Sequence, residues 1–278
     1  MADRFPPHLD MDTPSIARMY DYLLGGKDNF EADRKACESL AEGIPELVAF
    51  ARDNRAFLGR AVECVSSRGV EQFLDLGAGL PTGENTHQVA QAINPGARVL
   101  YVDHDPIVLA HGRALVTDSA GTAFLGADVR DVDDILNSPE AEGLIDPDLP
   151  VCVMLVSLLH CLPDESDPFG LVRGLVDRLA PGSCVILSHI VSDDHAAGAW
   201  MTEKILSFGT PWGRVRAPEE VATVFDGLEL VSPWTDGRDQ GPQAVDCATW
   251  RHPERDPLFR PDDADTKRWE MAGVAFKH

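Results

Sequence analysis

Two textures divide the chain. From Thr13 to about Arg68, apolar positions recur at helical spacing. Ile16, Met19, Tyr20, Leu23 and Leu24 follow this spacing, and Gly25-Gly26 then stops the run. Pro45 suits the first turn of a further helix, with Leu47, Val48, Phe50, Ala51, Phe57, Leu58 and Val62 as its apolar positions. After Gly69, short apolar runs alternate with helical stretches. Strands are expected at 72–76, 98–103, 123–127, 151–157 and 184–190, with helices near 86–93, 106–115, 132–137 and 169–179. Such alternation predicts an α/β fold with a mostly parallel sheet covered on both faces. Beyond Asp193 the pattern weakens; helices near 196–208 and 218–225 and strands at 228–231 and 244–250 would finish the sheet. The tail from His252 is polar, rich in Pro and Asp, and receives no element. The expected organisation is a helical extension over residues 1–68 before a core over 69–278.

Charge narrows the partners. With 24 Lys+Arg against 46 Asp+Glu the formal net charge is −22, and no basic patch reverses it. That field repels a phosphate backbone, so nucleic acid is excluded as a partner and cationic ligands are favoured. The six cysteines are scattered without a C-x-x-C pair, which favours a reducing compartment. The first residues lack the apolar core of a signal peptide, and the longest apolar run, 151–159, is too short to span a bilayer. A cytoplasmic protein with no membrane partner is expected.

The richest segment is Phe73-Leu74-Asp75-Leu76-Gly77-Ala78-Gly79-Leu80-Pro81-Thr82-Gly83. A strand running into G-x-G lets the backbone turn sharply and approach a ligand closely. Taken alone, this marks only a turn. The third glycine, Gly83, falls one place too late for the dinucleotide fingerprint, and Asp75 and Glu84 flank the loop. A pyrophosphate is opposed by such carboxylates, whereas an ammonium and a sulfonium are attracted. The loop therefore favours S-adenosylmethionine over NAD.

The next strand ends Tyr101-Val102-Asp103-His104-Asp105-Pro106, which places Asp103 to accept hydrogen bonds from ribose hydroxyls. Asp105 is better suited to cap the following helix, and His104 joins the cofactor-facing set. The third strand ends Gly126-Ala127-Asp128-Val129-Arg130, where the Asp128 carboxylate and the Val129 N–H match the edge of adenine. Each acid has a competing reading as a helix cap. The fourth strand ends Ser157-Leu158-Leu159-His160, so Ser157 and His160 should emerge near the reactive end of the cofactor. A hydrogen-bonded structural histidine is the competing reading of His160.

These motifs carry a resemblance. DLGAG (75–79), VDHDP (102–106), GADVRD (126–131) and SLLHCLPD (157–164) are similar to the successive motifs of class I S-adenosylmethionine-dependent methyltransferases. ARMYDYLLGGKDNFEADR (17–34), NRAFLGRAV (54–62) and QFLDLGAGLPT (72–82) resemble, more narrowly, the S-adenosyl methyltransferase family formerly catalogued as a domain of unknown function. The similarity runs from about Pro14 to at least Trp250. It implies a Rossmann-like class I sheet of about seven strands. It also implies cofactor contacts at Gly77, Ala78, Gly79, Asp103, Asp128 and Val129, and it names no substrate. Where the family pattern ends near Gly-Gly-Val-Gly-Arg-Lys, this chain reads Ala272-Gly273-Val274-Ala275-Phe276-Lys277.

Other chemistries find less support. There is no G-x-S-x-G elbow and no H-E-x-x-H pair, and a metal at His104 between Asp103 and Asp105 is disfavoured. Methyl transfer from a sulfonium needs water exclusion and alignment more than a base. If a base is needed, His160 is the candidate, with Tyr20 as an accessory group. The expected acceptor is a small molecule. The polar cluster Arg18, Tyr20, Asp21, Lys27, Asp28 and Asn29 around Gly25-Gly26 suggests that the N-terminal helices close over the cofactor. A non-enzymatic S-adenosylmethionine-binding regulator is the alternative from another class.

Overall fold

The computed structural model describes residues 10–116, 119–236, 241, 243–252, 254, 256 and 267–278. The N-terminal part is helical: α1 (Ile16–Leu23), α2 (Glu31–Ala41) and α3 (Leu47–Ser66). Gly25, at φ +83, ends α1; its N–H and that of Gly26 return to the carbonyls of Tyr22 and Asp21. The core then alternates β1 (Gln72–Leu76), α4 (Thr86–Ile93), β2 (Arg98–Asp103), α5 (Pro106–Val116) and β3 (Thr122–Gly126). It continues with α6 (Val132–Leu136), α7 (Pro139–Leu144), β4 (Val151–Val156), α8 (Pro168–Asp177) and β5 (Cys184–Val191). The last part holds α9 (His195–Leu206), α10 (Pro218–Ala222), β6 (Glu229–Leu230), β7 (Val245–Asp246) and β8 (Trp269–Phe276).

The eight strands form one sheet in the order β3-β2-β1-β4-β5-β8-β6, with β7 also on β8. The first five are parallel; β8 runs antiparallel to β5, pairing Cys184 with Phe276 through to Val191 with Trp269. Every residue of β1 and β5 is buried, as a sheet covered on both faces requires. Alternate residues feed two cores. Phe73, Val99, Met154, Ile186 and Val274 face Phe57, Ala61 and Val65 of α3, while Leu74, Leu100, Val153 and Leu187 face Val172 and Leu175 of α8. Helix α3 covers one sheet face. Helices α1 and α2 pack mainly in a further cluster with Phe50 of α3, Ile190 of β5, Met201 and Trp212.

Two expectations are corrected in the last part. The strand expected at 244–250 is cut to Val245–Asp246, because Asp246 then folds the chain into a turn by accepting the Ala248 N–H at 2.9 Å. The tail that received no element supplies β8, an eight-residue strand inside the sheet. Gly273 belongs there for packing: a Cβ would meet Phe225 Cζ at 2.7 Å.

Candidate functional site

A cavity of about 810 Å³ lies beyond the C-terminal ends of β1, β2, β3 and β4. The sheet side supplies Asp75 and the loop through Thr82, the turn 103–106, the turn 128–130 and the end of β4. The opposite wall comes from α1, from Asn54, Arg55 and Leu58 on α3, and from the segment 210–212 after α9.

The glycine loop is folded over the end of β2. The N–H groups of Gly77 and Ala78 donate to the Val102 carbonyl at 2.8 and 3.1 Å. Gly77 and Gly79 sit at φ +68 and +65, where a side chain strains the backbone. A Cβ on Gly77 would also meet Leu158 Cδ1 at 2.5 Å, whereas one on Gly79 would meet nothing within 4 Å. Space is therefore open beside the loop where a ligand would approach. Asp103 clasps the loop: its Oδ2 accepts the Gly79 N–H and its Oδ1 the Asp105 N–H, both at 2.9 Å. Burial pushes its carboxyl pKa above the usual value, partly offset by these two bonds. Asp105 caps α5 through the Ile107 N–H at 2.8 Å, and its other oxygen accepts the Ser15 hydroxyl, tying the N-terminal segment to this turn.

Asp75 is buried and accepts the Thr86 hydroxyl at 2.7 Å on Oδ2. Burial pushes it up to about 6, and the like charge of Asp103 adds to the rise. Asp128 is the opposite case. Arg130 grips it through Nε at 2.9 Å and Nη2 at 2.5 Å, and these bonds hold its carboxyl at about 2. Val129 is buried beside it, and His104 lines the rim with an exposed ring. Ser157 lines the cavity in the left-handed region at φ +57 and donates its N–H to Ser188 Oγ at 2.9 Å. A non-glycine residue held there stores strain of about 1–3 kcal/mol.

All nine expected cofactor-side residues line this one cavity. The two expected catalytic groups separate. Tyr20 lines the wall, donates to the Ala51 carbonyl at 3.0 Å and accepts the Asn54 side-chain N–H at 2.9 Å. Burial raises its phenol far above the usual range, so it stays neutral. His160 does not line the cavity. After β4 the chain turns through Leu159–Cys161, which tucks His160 behind the wall, while Cys161 and Leu162 line it instead. Its Nδ1 accepts the Ile190 N–H at 3.2 Å, and its ring packs on Trp212 and His189. Burial drives its pKa well below 6.5, with further lowering from His189 and Arg216. The expectation of His160 as a base is withdrawn on that geometry.

Sequence reasoning missed the α3 side chains. Arg55 lines the cavity and latches the far end of the loop through the carbonyls of Thr82, at 2.6 Å, and Glu84. Its signal was the NRAFLGRAV stretch, which carried the resemblance but received no role. Asn54 and Leu58 likewise received no site role.

The donor set suits S-adenosylmethionine. Asp75 and Asp103 are buried acids with spare lone pairs, set beside open space at Gly79, as an ammonium and ribose hydroxyls require. Among the described residues no group of three or more His, Cys, Asp or Glu could hold a metal ion, and no helix is long and apolar enough to cross a membrane.

Known proteins agree with this geometry. The family described as S-adenosyl methyltransferase matches residues 3–278. A candidate methyltransferase from Thermobifida fusca YX shares 41% identity over 99% of both chains, at a TM-score of 0.83. A DUF574 family protein from Streptomyces avermitilis MA-4680 shares 31% identity, covering 97% of this chain and 99% of its own, at a TM-score of 0.82. No curated protein matches the chain. On its sheet, its cavity and this near full-length match, the chain belongs to the S-adenosyl methyltransferase family and is a methyltransferase that uses S-adenosylmethionine.

Proposed function

We propose that the methyl acceptor is a small, largely apolar molecule, received under α1 at the end of the cavity away from the acids. The carrying observation is the cavity itself. Its volume of about 810 Å³ lies within the range of small-molecule sites, and Ile16, Leu58, Leu80, Leu206 and Trp212 line it with apolar surface. A purely regulatory binder has no need of such a surface beside the cofactor acids.

When bound, S-adenosylmethionine supplies a methyl group already activated on a sulfonium. The chain's own residues then bind, orient and exclude water. We assign the methionine ammonium to Asp75 and the loop 77–79, the ribose to Asp103, and the adenine edge to Asp128 and the Val129 N–H. Arg55, a cation among these acids, is assigned to the methionine carboxylate. The N-terminal segment through α1 serves as the cover. It is pinned to the rim by Ser15 on Asp105 and by the Thr210 hydroxyl on the Pro14 carbonyl, both at 2.8 Å. Tyr20, neutral and hydrogen-bonded, positions rather than abstracts a proton. Free cysteines at all six positions, five of them buried, support a cytoplasmic setting.

The test is where the methyl goes. In an extract of the producing cells supplied with methyl-labelled S-adenosylmethionine, added protein should place the label in the small-molecule fraction. Label confined to protein or nucleic acid would overturn the proposal.

A further inference from the structure

Glu270 is fully buried on β8, opposite Ile190 of β5, and no step described so far uses it. A buried carboxylate requires partners. Its hydrogen-bonding neighbours are the hydroxyls of Ser188, at 3.2 Å from Oε1, and Ser157. The charged group acting on it is Asp246 of β7, which is of like sign. Tyr20 on α1, Cys161 after β4 and Cys247 beside β7 all feel its charge, and each is a group that is neutral when protonated. Burial therefore pushes the Glu270 carboxyl up to about 7.

The hydrogen atoms around Ser188 decide what that proton does. Ser188 Oγ has one hydrogen and two lone pairs. The Ser157 N–H occupies one lone pair at 2.9 Å. Asn54 Oδ1, at 2.7 Å, can only accept, so it takes the hydrogen. Glu270 then faces the remaining lone pair, and its contact is a hydrogen bond only if Glu270 is the donor. Asn54 Nδ2 donates onward to Tyr20 Oη at 2.9 Å, and Tyr20 donates to the Ala51 carbonyl at 3.0 Å. With Glu270 protonated each bond along this path has one donor and one acceptor, and the chain runs one way from Glu270 to Ala51. With Glu270 ionised, the Ser157 hydroxyl donates to it, the carboxylate also competes for the single Ser188 hydrogen, and the charged acceptor wins over the Asn54 amide oxygen. Asn54, 1% exposed, is then left with an unsatisfied Oδ1. An amide passes no proton along this path, so the chain orients groups and is not a proton wire.

We propose that Glu270 is a positioning residue of the methyl-transfer site, whose carboxyl hydrogen sets the direction of the Ser188–Asn54–Tyr20 chain and so holds α1 against the cavity. The inference rests on α1 being the cover. It also sharpens acceptor recognition. Tyr20 has given its hydrogen to Ala51, so it meets a ligand only as an acceptor, and the group it recognises carries an O–H or N–H.

S-adenosylhomocysteine dissociation, followed by stopped flow from about pH 5.5 to about pH 8.5, tests the inference on the intact protein. Loss of one buried hydrogen bond predicts release about tenfold faster above pH 7 than below it in the wild type. Glu270→Gln keeps a donor to Ser188 at every pH, so its release should not accelerate above pH 7; Asp75, at about 6, titrates alike in both proteins and cancels in their ratio. Ser188→Ala, which breaks the chain with little change of volume, should release fast throughout. Isotope-edited infrared spectra should show a protonated buried carboxyl at pH 6 that is absent from Glu270→Gln. A wild-type profile that matches that of Glu270→Gln, a Glu270→Gln release that still accelerates above pH 7, or no such carboxyl band would each overturn the proposal. The acceptor test above bears on none of these readings, so the two can fail separately.

Discussion

The cavity has two sides built in different ways. Its rim comes from the ends of β1, β2 and β3, where each strand contributes one acid or glycine turn directly at its C-terminus. Its opposite wall carries Tyr20 of α1 and Asn54 of α3, which a buried network through Ser188 of β5 and Glu270 of β8 backs from behind. The rim acids line the cavity singly and are held by local bonds: Asp75 by the Thr86 hydroxyl, Asp103 by the Gly79 and Asp105 N–H groups, Asp128 by Arg130. The wall is a network in which each group is satisfied only if its neighbour is. A change in the rim should therefore act on ligand affinity, residue by residue. A change in the wall should act on closure and on the pH dependence of the whole protein.

Asp103→Ala should break the rim most severely. It removes the proposed ribose acceptor and the clasp on Gly79 together, so affinity for S-adenosylmethionine and S-adenosylhomocysteine should fall by about 1.5–3 kcal/mol. Calorimetry on a folded variant checks this, and unchanged affinity would place the ribose elsewhere.

Glu270→Gln probes the wall through stability. The folded-state pKa is raised from 4.5 to about 7, so the native state holds this proton more tightly than the unfolded chain. The resulting stabilisation is full below about pH 4.5 and is lost as pH rises through about 7. Gln has no proton to lose. From about pH 4 to about pH 8, stability should therefore shift in favour of the Gln variant by up to about 3 kcal/mol. Denaturant midpoints across that range decide it; parallel curves for the two proteins would show that Glu270 is ionised when buried.

Asp128→Asn is the mildest test. Arg130 already occupies the carboxylate, and the amide keeps one acceptor oxygen, so S-adenosylmethionine affinity should drop only about threefold, roughly 0.7 kcal/mol. A loss as large as that of Asp103→Ala would make Asp128 a principal anchor and blur the contrast between rim and wall.

The same contrast explains what could be read in advance. Strands β1 and β2 and helix α4 fall at the expected bounds, because Phe73–Leu76, apolar but for Asp75, and Val99–Val102 are short runs ending at glycine or acid. The rim was legible for the same reason: Gly77, Gly79, Asp103 and Asp128 sit at or just after the ends of such runs, and Asp75 interrupts the first of them. Strand β8 was not legible. Its apolar pattern is interrupted by Glu270 and Gly273, and it follows a polar, Pro-rich stretch. Only its pairing with β5 explains why an acid belongs inside it. His160 misled because its place after β4 matched the site, while the turn Leu159–Cys161 rotated it behind the wall. Asn54 and Ser188 are 134 residues apart, and no local pattern could join them.

The most direct test of the account is a crystal structure with S-adenosylhomocysteine bound. The account predicts the ribose on Asp103 and the homocysteine amine beside Asp75. It places the sulfur toward an enclosed apolar space bounded by Tyr20, Leu58 and Trp212, beneath α1. A ligand whose sulfur faces open solvent, or whose ribose lies away from Asp103, would contradict it.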